Sequence, residues 1–269
     1  MSSPIQAAIL GVIQGLTEFL PVSSTAHLLL SERLLGYQDP DGVFTVMIQL
    51  GSILAIMWLY RVKIVDAVAG LATRPDSRNF ALAIIVATIP ALVAGALLSA
   101  FIKGVLYESP RVFAVAFIIG GIVMLIVERA RPAPIVVDAE RTPISRALIV
   151  GLCQMLALVP GVSRSGATIV GGMAVGLDRP AAAEFSFFVA MPTMTAAFGK
   201  NLLEVRHHLS PDRALDIGVG LVMAFIASLL VVQPFLAFVR RAGFGPFAWY
   251  RIVLGAAILA AIAGGWMQP

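Results

Sequence analysis

Two polar segments interrupt an otherwise apolar chain, and together they carry a carboxylate, hydroxyls, an imidazole and a guanidinium. The first runs from Gln14 through Glu18, Pro21, Ser23, Ser24 and Thr25 to His27; the second is Gly161-Val-Ser-Arg-Ser-Gly-Ala-Thr168. Arg164 is the most informative of these residues. A guanidinium at membrane depth costs roughly 2.5–3.5 kcal/mol even on lenient insertion scales, so it requires an anionic partner or a wet cavity. With Ser163, Ser165, Gly166 and Thr168 beside it, it makes a donor-rich cradle suited to phosphate, whose oxygens a guanidinium binds in pairs. Glu18 repels such an anion unless a cation bridges the two or the carboxylate acts as a base. A divalent cation, Mg²⁺ first and Ca²⁺ as the alternative, resolves the conflict by taking carboxylate and phosphate oxygens together. Glu18 with a hydroxyl and His27 also supplies the parts of nucleophilic or general-base hydrolysis. Phosphoryl transfer is the reaction class that uses all of these groups.

Such groups need a scaffold that holds irregular backbone inside a bilayer. Pro21 disfavours helical geometry at Leu20, and Ser23, Ser24 and Thr25 are N-cap residue types for a helix that begins near Thr25. Pro160-Gly161 breaks the second region in the same way, Ser163 to Thr168 opens the next helix, and Gly166 permits close backbone approach. Each loop then presents a helix N-terminus with unpaired N–H groups, which is an anion site. The apolar regions 4–36 and 144–177 are each divided into halves too short to cross alone, which predicts two re-entrant helix-loop-helix hairpins lining a polar cavity. Charge-free stretches at 42–60, 79–102, 112–127, 185–199, 217–239 and 252–267 predict about six transmembrane helices, since about 20 residues cross the hydrocarbon core. The expected fold is an all-α integral membrane protein forming one domain over 1–269.

The two broken regions resemble each other. A shift of 140 pairs Gly11 with Gly151, Gln14 with Gln154, Leu16 with Leu156, Val22 with Val162 and Ser23 with Ser163. A span containing Phe44 or Phe185 and two further apolar stretches follow each copy, which predicts repeats over about 1–130 and 144–269. One hairpin and three spans per repeat give an odd number of crossings, so the repeats are expected in inverted topology with their loops meeting near the midplane.

Composition agrees with the bilayer as solvent: 59% of the 269 residues are hydrophobic, 13% are charged, and mean hydropathy is +0.94. The net charge of +4 does not indicate nucleic acid, because the basic residues lie in short loops between apolar runs. Read as topology signals, twelve Lys and Arg, Arg251 among them, fall on one side and six, Lys103 among them, on the other. The positive-inside rule puts the richer side in the cytoplasm, with both termini and the mouth of the first hairpin outside. Cys153 is the single cysteine, which excludes an internal disulfide framework, and its apolar surroundings suggest a packed thiol. Residues 4–20 lack a basic n-region and a cleavage site and are expected in the mature fold. The adjacent His207 and His208 read as a polar loop before they read as a metal pair.

Structural readings compete at each position. Ser23, Thr25, Ser165 and Thr168 suit helix caps or backbone bonding, and Gln14 and Gln154 suit interhelical hydrogen bonds. Glu18 and Arg164 could form a buried ion pair that holds the hairpins together. Glu184 and Gln49 could line the cavity, but helix-end solvation and interhelical bonding account for them equally. Gly120-Gly121 and Gly171-Gly172 suit close helix packing.

At Gly15-Leu-Thr-Glu-Phe-Leu-Pro-Val-Ser-Ser-Thr-Ala-His27 and Pro160-Gly-Val-Ser-Arg-Ser-Gly-Ala-Thr168, with Glu184-Phe-Ser-Phe and Gln49-Leu-Gly-Ser-Ile-Leu-Ala, the chain resembles the undecaprenyl-diphosphate phosphatase family, also called the bacitracin-resistance protein family. The resemblance implies a multi-pass enzyme of the bacterial cytoplasmic membrane that hydrolyses undecaprenyl diphosphate to undecaprenyl phosphate and inorganic phosphate at the outer, periplasmic side. That activity recycles the lipid carrier for peptidoglycan synthesis and raises bacitracin resistance. By position, the family's acidic motif falls on Glu18, its serine-histidine element on Ser24 and His27, and its phosphate-binding arginine on Arg164. Ser23, Thr25, Ser163, Ser165, Gly166 and Thr168 would surround the substrate. The family often has a second glutamate where this chain has Gln14, so the metal would rest on Glu18, with Gln14 a neutral oxygen ligand at most. Ser24 is the favoured nucleophile with His27 as its proton-transfer partner; attack by His27 itself or by water stays open, and a homo-oligomer is compatible with the sequence. A polyprenyl-phosphate flippase or anion transporter would use the same helix ends and the same arginine, and a noncatalytic scaffold is the third reading.

Overall fold

The computed structural model describes residues 3–39, 42–101, 109–208 and 211–266. Its regular elements among these residues are helices, and no strand is present apart from an isolated bridge between Val136 and Leu177. In chain order they are α1 (Pro4–Thr17), α2 (Ser24–Leu35), α3 (Val43–Leu59), α4 (Arg61–Gly70), α5 (Pro75–Phe101), α6 (Pro110–Ala130), α7 (Ile144–Met155), α8 (Arg164–Ala174), α9 (Arg179–Val205), α10 (Ala214–Ala242) and α11 (Gly245–Ala263). Five of these, α5, α6, α9, α10 and α11, are long and apolar enough to cross a membrane, and α3 with α4 makes a sixth span bent by 67°. This is an all-α membrane protein. Lys103 and the side chain of His208 lie outside the described residues.

The expected spans fall on α3, α5, α6, α9, α10 and α11, and the short helices α1/α2 and α7/α8, of which α1 and α7 are apolar, form the two hairpins. The helix α4 was not foreseen, because charges interrupt its apolar residues. It turns off α3 at Tyr60, leaves Val62, Val65 and Val68 exposed, and packs Ile64 and Ala67 inward. At the bend the Arg61 guanidinium stacks on the Trp58 ring at 4.6 Å, and Lys63 pairs with Glu140 and Glu184, both at 2.9 Å.

Packing between the two halves is reciprocal. The first hairpin helix, α1, lies along α10 of the second half, and α7 lies along α5 of the first; α3 meets α9, and α6 meets α11. Lipid offers no hydrophobic drive for helix association, so close backbone approach through small residues has to supply the contact energy. Gly11 and Gly151, partners under the shift of 140, occupy the two reciprocal contacts. A Cβ on Gly11 would stand 2.3 Å from the Gly220 carbonyl oxygen, and one on Gly151 would stand 2.6 Å from that of Ala87. Elsewhere aromatic rings fill the interior: Phe19 meets Phe187 edge-on at 5.4 Å, and Phe188 meets Tyr60 at 5.0 Å and Phe80 at 4.9 Å.

Candidate active site

Each hairpin turns on a serine whose backbone lies in the left-handed region. Ser23 has φ 68° and Ser163 has φ 73°, and they are the only non-glycine residues with positive φ among those described. Such a conformation costs of order 1–3 kcal/mol and persists only where surrounding contacts enforce it. Its effect is abrupt: the next residue, Ser24 or Arg164, is already the first of a helix. The two turns are not capped alike. Ser163 Oγ accepts from the Gly166 N–H at 3.1 Å, whereas the Ser23 hydroxyl makes no capping bond. The expected serine cap is therefore present in the second loop and missing from the first, although both serines share the left-handed backbone.

Ser24 and Arg164 converge on Glu18, the residue that ends α1. Ser24 Oγ donates to Glu18 Oε2 at 2.6 Å, Gln14 Nε2 donates to the same oxygen at 2.9 Å, and Arg164 Nη2 donates to Oε1 at 3.0 Å. Glu18 is only 9% exposed, so these bonds act in a medium of low polarity, where charge-assisted contacts are strongest. The buried ion pair weighed for Glu18 and Arg164 exists, and a nucleophile-type hydroxyl shares its carboxylate. Phe19, wholly buried against Phe187, anchors the turn that presents Glu18.

Arg164 also lies over the Phe19 ring at 5.9 Å, and its further polar contacts come from the second half. Arg164 Nη1 donates to the Ser186 carbonyl at 3.3 Å, and its Nε is buried with no partner among the described residues. Thr168 faces away from the loop, bonding the Arg164 carbonyl at 2.9 Å and the Ser186 hydroxyl at 2.7 Å, so it braces the first turn of α8 from behind. Ser165 Oγ donates across the hairpins to the Leu20 carbonyl at 2.7 Å and meets Ser163 Oγ at 3.0 Å. Gly166 is buried against Ser163 and Arg251. Thr25 is half-buried.

His27 stands one turn beyond Ser24 but is not bonded to it. Its Nδ1 lies 2.8 Å from the Ser23 carbonyl and its Nε2 lies 2.6 Å from the Tyr250 hydroxyl, with the two rings stacked at 5.7 Å. A carbonyl only accepts, so in the neutral ring Nδ1 carries the proton and Nε2 accepts from Tyr250. The group positioned to take the Ser24 proton is the Glu18 carboxylate.

Oxygen donors for a cation are few. Among the described residues no three His, Cys, Asp or Glu side chains converge as a metal cluster. Gln14, on the turn before Glu18, turns its Nε2 to that carboxylate, and its Oε1 is buried without a partner among the described residues. One carboxylate and one amide oxygen suit a Mg²⁺ that takes its remaining ligands from substrate phosphates and water, which is how that ion is usually bound.

Two residues on α11 belong to this region and were missed in the sequence. Tyr250 holds His27. Arg251, counted above as a cytoplasmic topology charge, is 1% exposed and reaches both hairpin loops. In the sequence it borders the charge-free stretch 252–267 and looks like any flanking charge; the signal that could have separated them is Gly120-Gly121, since a Cβ on Gly120 would stand 2.2 Å from Arg251 Nη2.

The family model of the bacitracin resistance protein BacA matches residues 7–257. The chain is 51% identical over 260 residues to "Undecaprenyl-diphosphatase 1" of Agrobacterium fabrum, covering 97% of each protein. It is 46% identical over 265 residues to "Undecaprenyl-diphosphatase" of Cereibacter sphaeroides, covering 98% of this chain and 99% of that one. With the protein of the same name from Acinetobacter baumannii, identity is 49% over 259 residues, 96% and 95% of the two chains. The match runs through both hairpins and all the spans that hold them, and the chain belongs to the bacitracin resistance protein BacA family.

Proposed function

We propose that this protein hydrolyses undecaprenyl diphosphate to undecaprenyl phosphate and inorganic phosphate, as the names of its relatives indicate for them. The single observation that carries the mechanism is the Glu18 carboxylate shared between the Ser24 hydroxyl and the Arg164 guanidinium. A carboxylate 2.6 Å from a hydroxyl can accept its proton. Arg164, released from Glu18 by the incoming diphosphate, binds the terminal phosphate and neutralises charge that builds on its oxygens. Ser24 Oγ then attacks the terminal phosphorus as Glu18 takes the hydroxyl proton, the anhydride P–O bond breaks, and undecaprenyl phosphate leaves with that proton on its departing oxygen, so that Glu18 is ionised again. Water cleaves the phosphoserine in the second half-reaction, with Glu18 again the nearest base, and inorganic phosphate is released. Glu18 and Gln14 Oε1 would hold a divalent cation, Mg²⁺ before Ca²⁺, whose chemistry is neutralisation of the diphosphate oxygens.

His27 serves this scheme through position, since Ser23 and Tyr250 occupy its two nitrogens. Ser23, Thr25, Ser163, Ser165 and Gly166 form the loop surface around the phosphates, and Thr168 keeps Arg164 in place from behind. The two halves act as inverted repeats over about 1–130 and 144–269; their reciprocal packing and their matched left-handed serines support this reading. The cavity faces the outer side of the bacterial cytoplasmic membrane, with the prenyl tail leaving between helices into the bilayer. In that setting the product is the lipid carrier of peptidoglycan synthesis, and its regeneration raises bacitracin resistance. A lipid flippase would use the same hairpins, but a carrier has no need of a hydroxyl donating to a buried carboxylate.

The deciding experiment is phosphate release from undecaprenyl diphosphate by the purified protein in detergent, where no gradient exists, with and without chelator. Turnover that chelation abolishes supports the scheme, and absence of turnover overturns it.

A further inference from the structure

Arg251 is a buried cation with no carboxylate. Its guanidinium lies in the second turn of α11, 1% exposed, and among the described residues no Asp or Glu pairs with it. Its four terminal N–H groups all go to backbone carbonyls: Nη1 to Pro21 at 3.1 Å and Val162 at 2.9 Å, Nη2 to Gly161 at 3.0 Å and Ala116 at 3.1 Å. Pro21 and Gly161 are equivalent under the shift of 140, so one side chain holds the same carbonyl of both hairpin loops. Each of those carbonyls lies two residues before its left-handed serine, the point that sets where Ser24 and Arg164 begin their helices.

We infer that Arg251 is a positioning residue for phosphoryl transfer, fixing the register of the two loops and supplying the positive charge that the Glu18–Arg164 pair has cancelled; this rests on the phosphatase reading above. The first part follows from geometry. Ser24 and Arg164 meet at Glu18 only if the loops keep their relative placement, and apart from the Arg164–Glu18 pair itself the loops are tied directly by the bond from Ser165 to Leu20. Misplacement by about 1 Å is enough to cost a reaction on the order of 100-fold in rate. The second part follows from charge. Glu18 balances Arg164, whereas neutral carbonyls solvate Arg251 without balancing it, so the loop region carries a net positive charge that a diphosphate can meet.

Lysine and glutamine at position 251 separate the two parts. Arg251→Lys keeps the charge and cannot hold four carbonyls, so kcat on a prenyl diphosphate should fall on the order of 100-fold. Its affinity for inorganic pyrophosphate, measured by calorimetry without turnover, should stay within about 3-fold of wild type. Arg251→Gln should lose the same kcat and weaken pyrophosphate binding by about 10-fold or more. Gly120→Ala, which displaces the guanidinium from α6 without touching it chemically, should reproduce the kcat loss of the lysine variant. Arg179→Lys, at an ion pair with Glu128 remote from the loops, serves as the control for lowered thermal stability and should leave kcat and KM unchanged.

An Arg251→Lys protein with wild-type kcat overturns the register role, as does a loss no greater than that of Arg179→Lys. Pyrophosphate binding by Arg251→Gln equal to wild type overturns the charge role. Wild-type protein that binds pyrophosphate but releases no phosphate from the lipid overturns the phosphatase reading instead, and the calorimetric arm still decides the charge role.

Discussion

Ser24 and Arg164 occupy the same position in their respective hairpins and meet on one carboxylate, Ser24 at Glu18 Oε2 and Arg164 at Oε1. Each is the first helical residue after a left-handed serine. Two turns of like geometry thus deliver a hydroxyl and a guanidinium to either side of the same acid.

Removing either side of that acid should stop the reaction. Arg164→Ala and Glu18→Ala are each expected to lower phosphate release by about 1,000-fold or more, the scale seen when a charge-stabilising arginine is lost from phosphoryl transfer. A monodisperse elution profile in detergent would show that the proteins remain folded. Near-normal turnover by either variant would sink the site assignment.

The nucleophile is tested by Ser24→Ala combined with a search for covalent phosphate. Wild-type protein quenched in acid during turnover should retain label from a substrate labelled in the terminal phosphate, and Ser24→Ala should retain none and lose activity. Substantial turnover by Ser24→Ala would move the attack to water or to His27.

Glycine substitutions test the reciprocal packing. Gly11→Ala and Gly151→Ala force a methyl into backbone at 2.3 and 2.6 Å, and each should destabilise by about 1–3 kcal/mol through overpacking. Gly218→Ala on α10, with nothing within 4 Å of the added carbon, should be neutral or stabilising by up to about 1 kcal/mol. Thermal unfolding in one detergent ranks the three, and equal midpoints would contradict the packing described.

The two serine turns should respond differently to glycine. Ser23→Gly relieves backbone strain and gives up no cap, so its unfolding midpoint should rise. Ser163→Gly gains the same relief but loses the bond to the Gly166 N–H, a few tenths of a kcal/mol when glycine replaces a serine cap, and its midpoint should rise by less. Identical shifts for both would show that the cap contributes nothing.

Most of the scaffold was legible because a bilayer imposes long charge-free runs, and those runs mark α3, α5, α6, α9, α10 and α11 directly. The hairpins were legible from Pro21 and Pro160-Gly161. What escaped was set by tertiary context: α4 mixes Arg61, Lys63 and Asp66 with its valines and reads as a loop, though it is helical and bent off α3. Within the site, Glu18 and Arg164 could be chosen from residue type and Ser24 through the family resemblance, but the partner of His27 could not. Its ring turns to Tyr250, more than two hundred residues away, and no local spacing carries that information. Arg251 was hidden for the opposite reason, since a charge beside a span is ordinary until its burial is seen.

The exchange of partners between the halves also bears on how the chain is assembled. The first hairpin leaves the ribosome early, yet the helix it packs along begins at Ala214. Until α8 has been synthesised the Glu18 turn lacks Arg164, and until α10 has been synthesised α1 lacks its principal groove, so the first half cannot complete the site within itself. Active protein therefore arises only after most of the chain has been made, and a truncation before α10 leaves α1 without its principal partner.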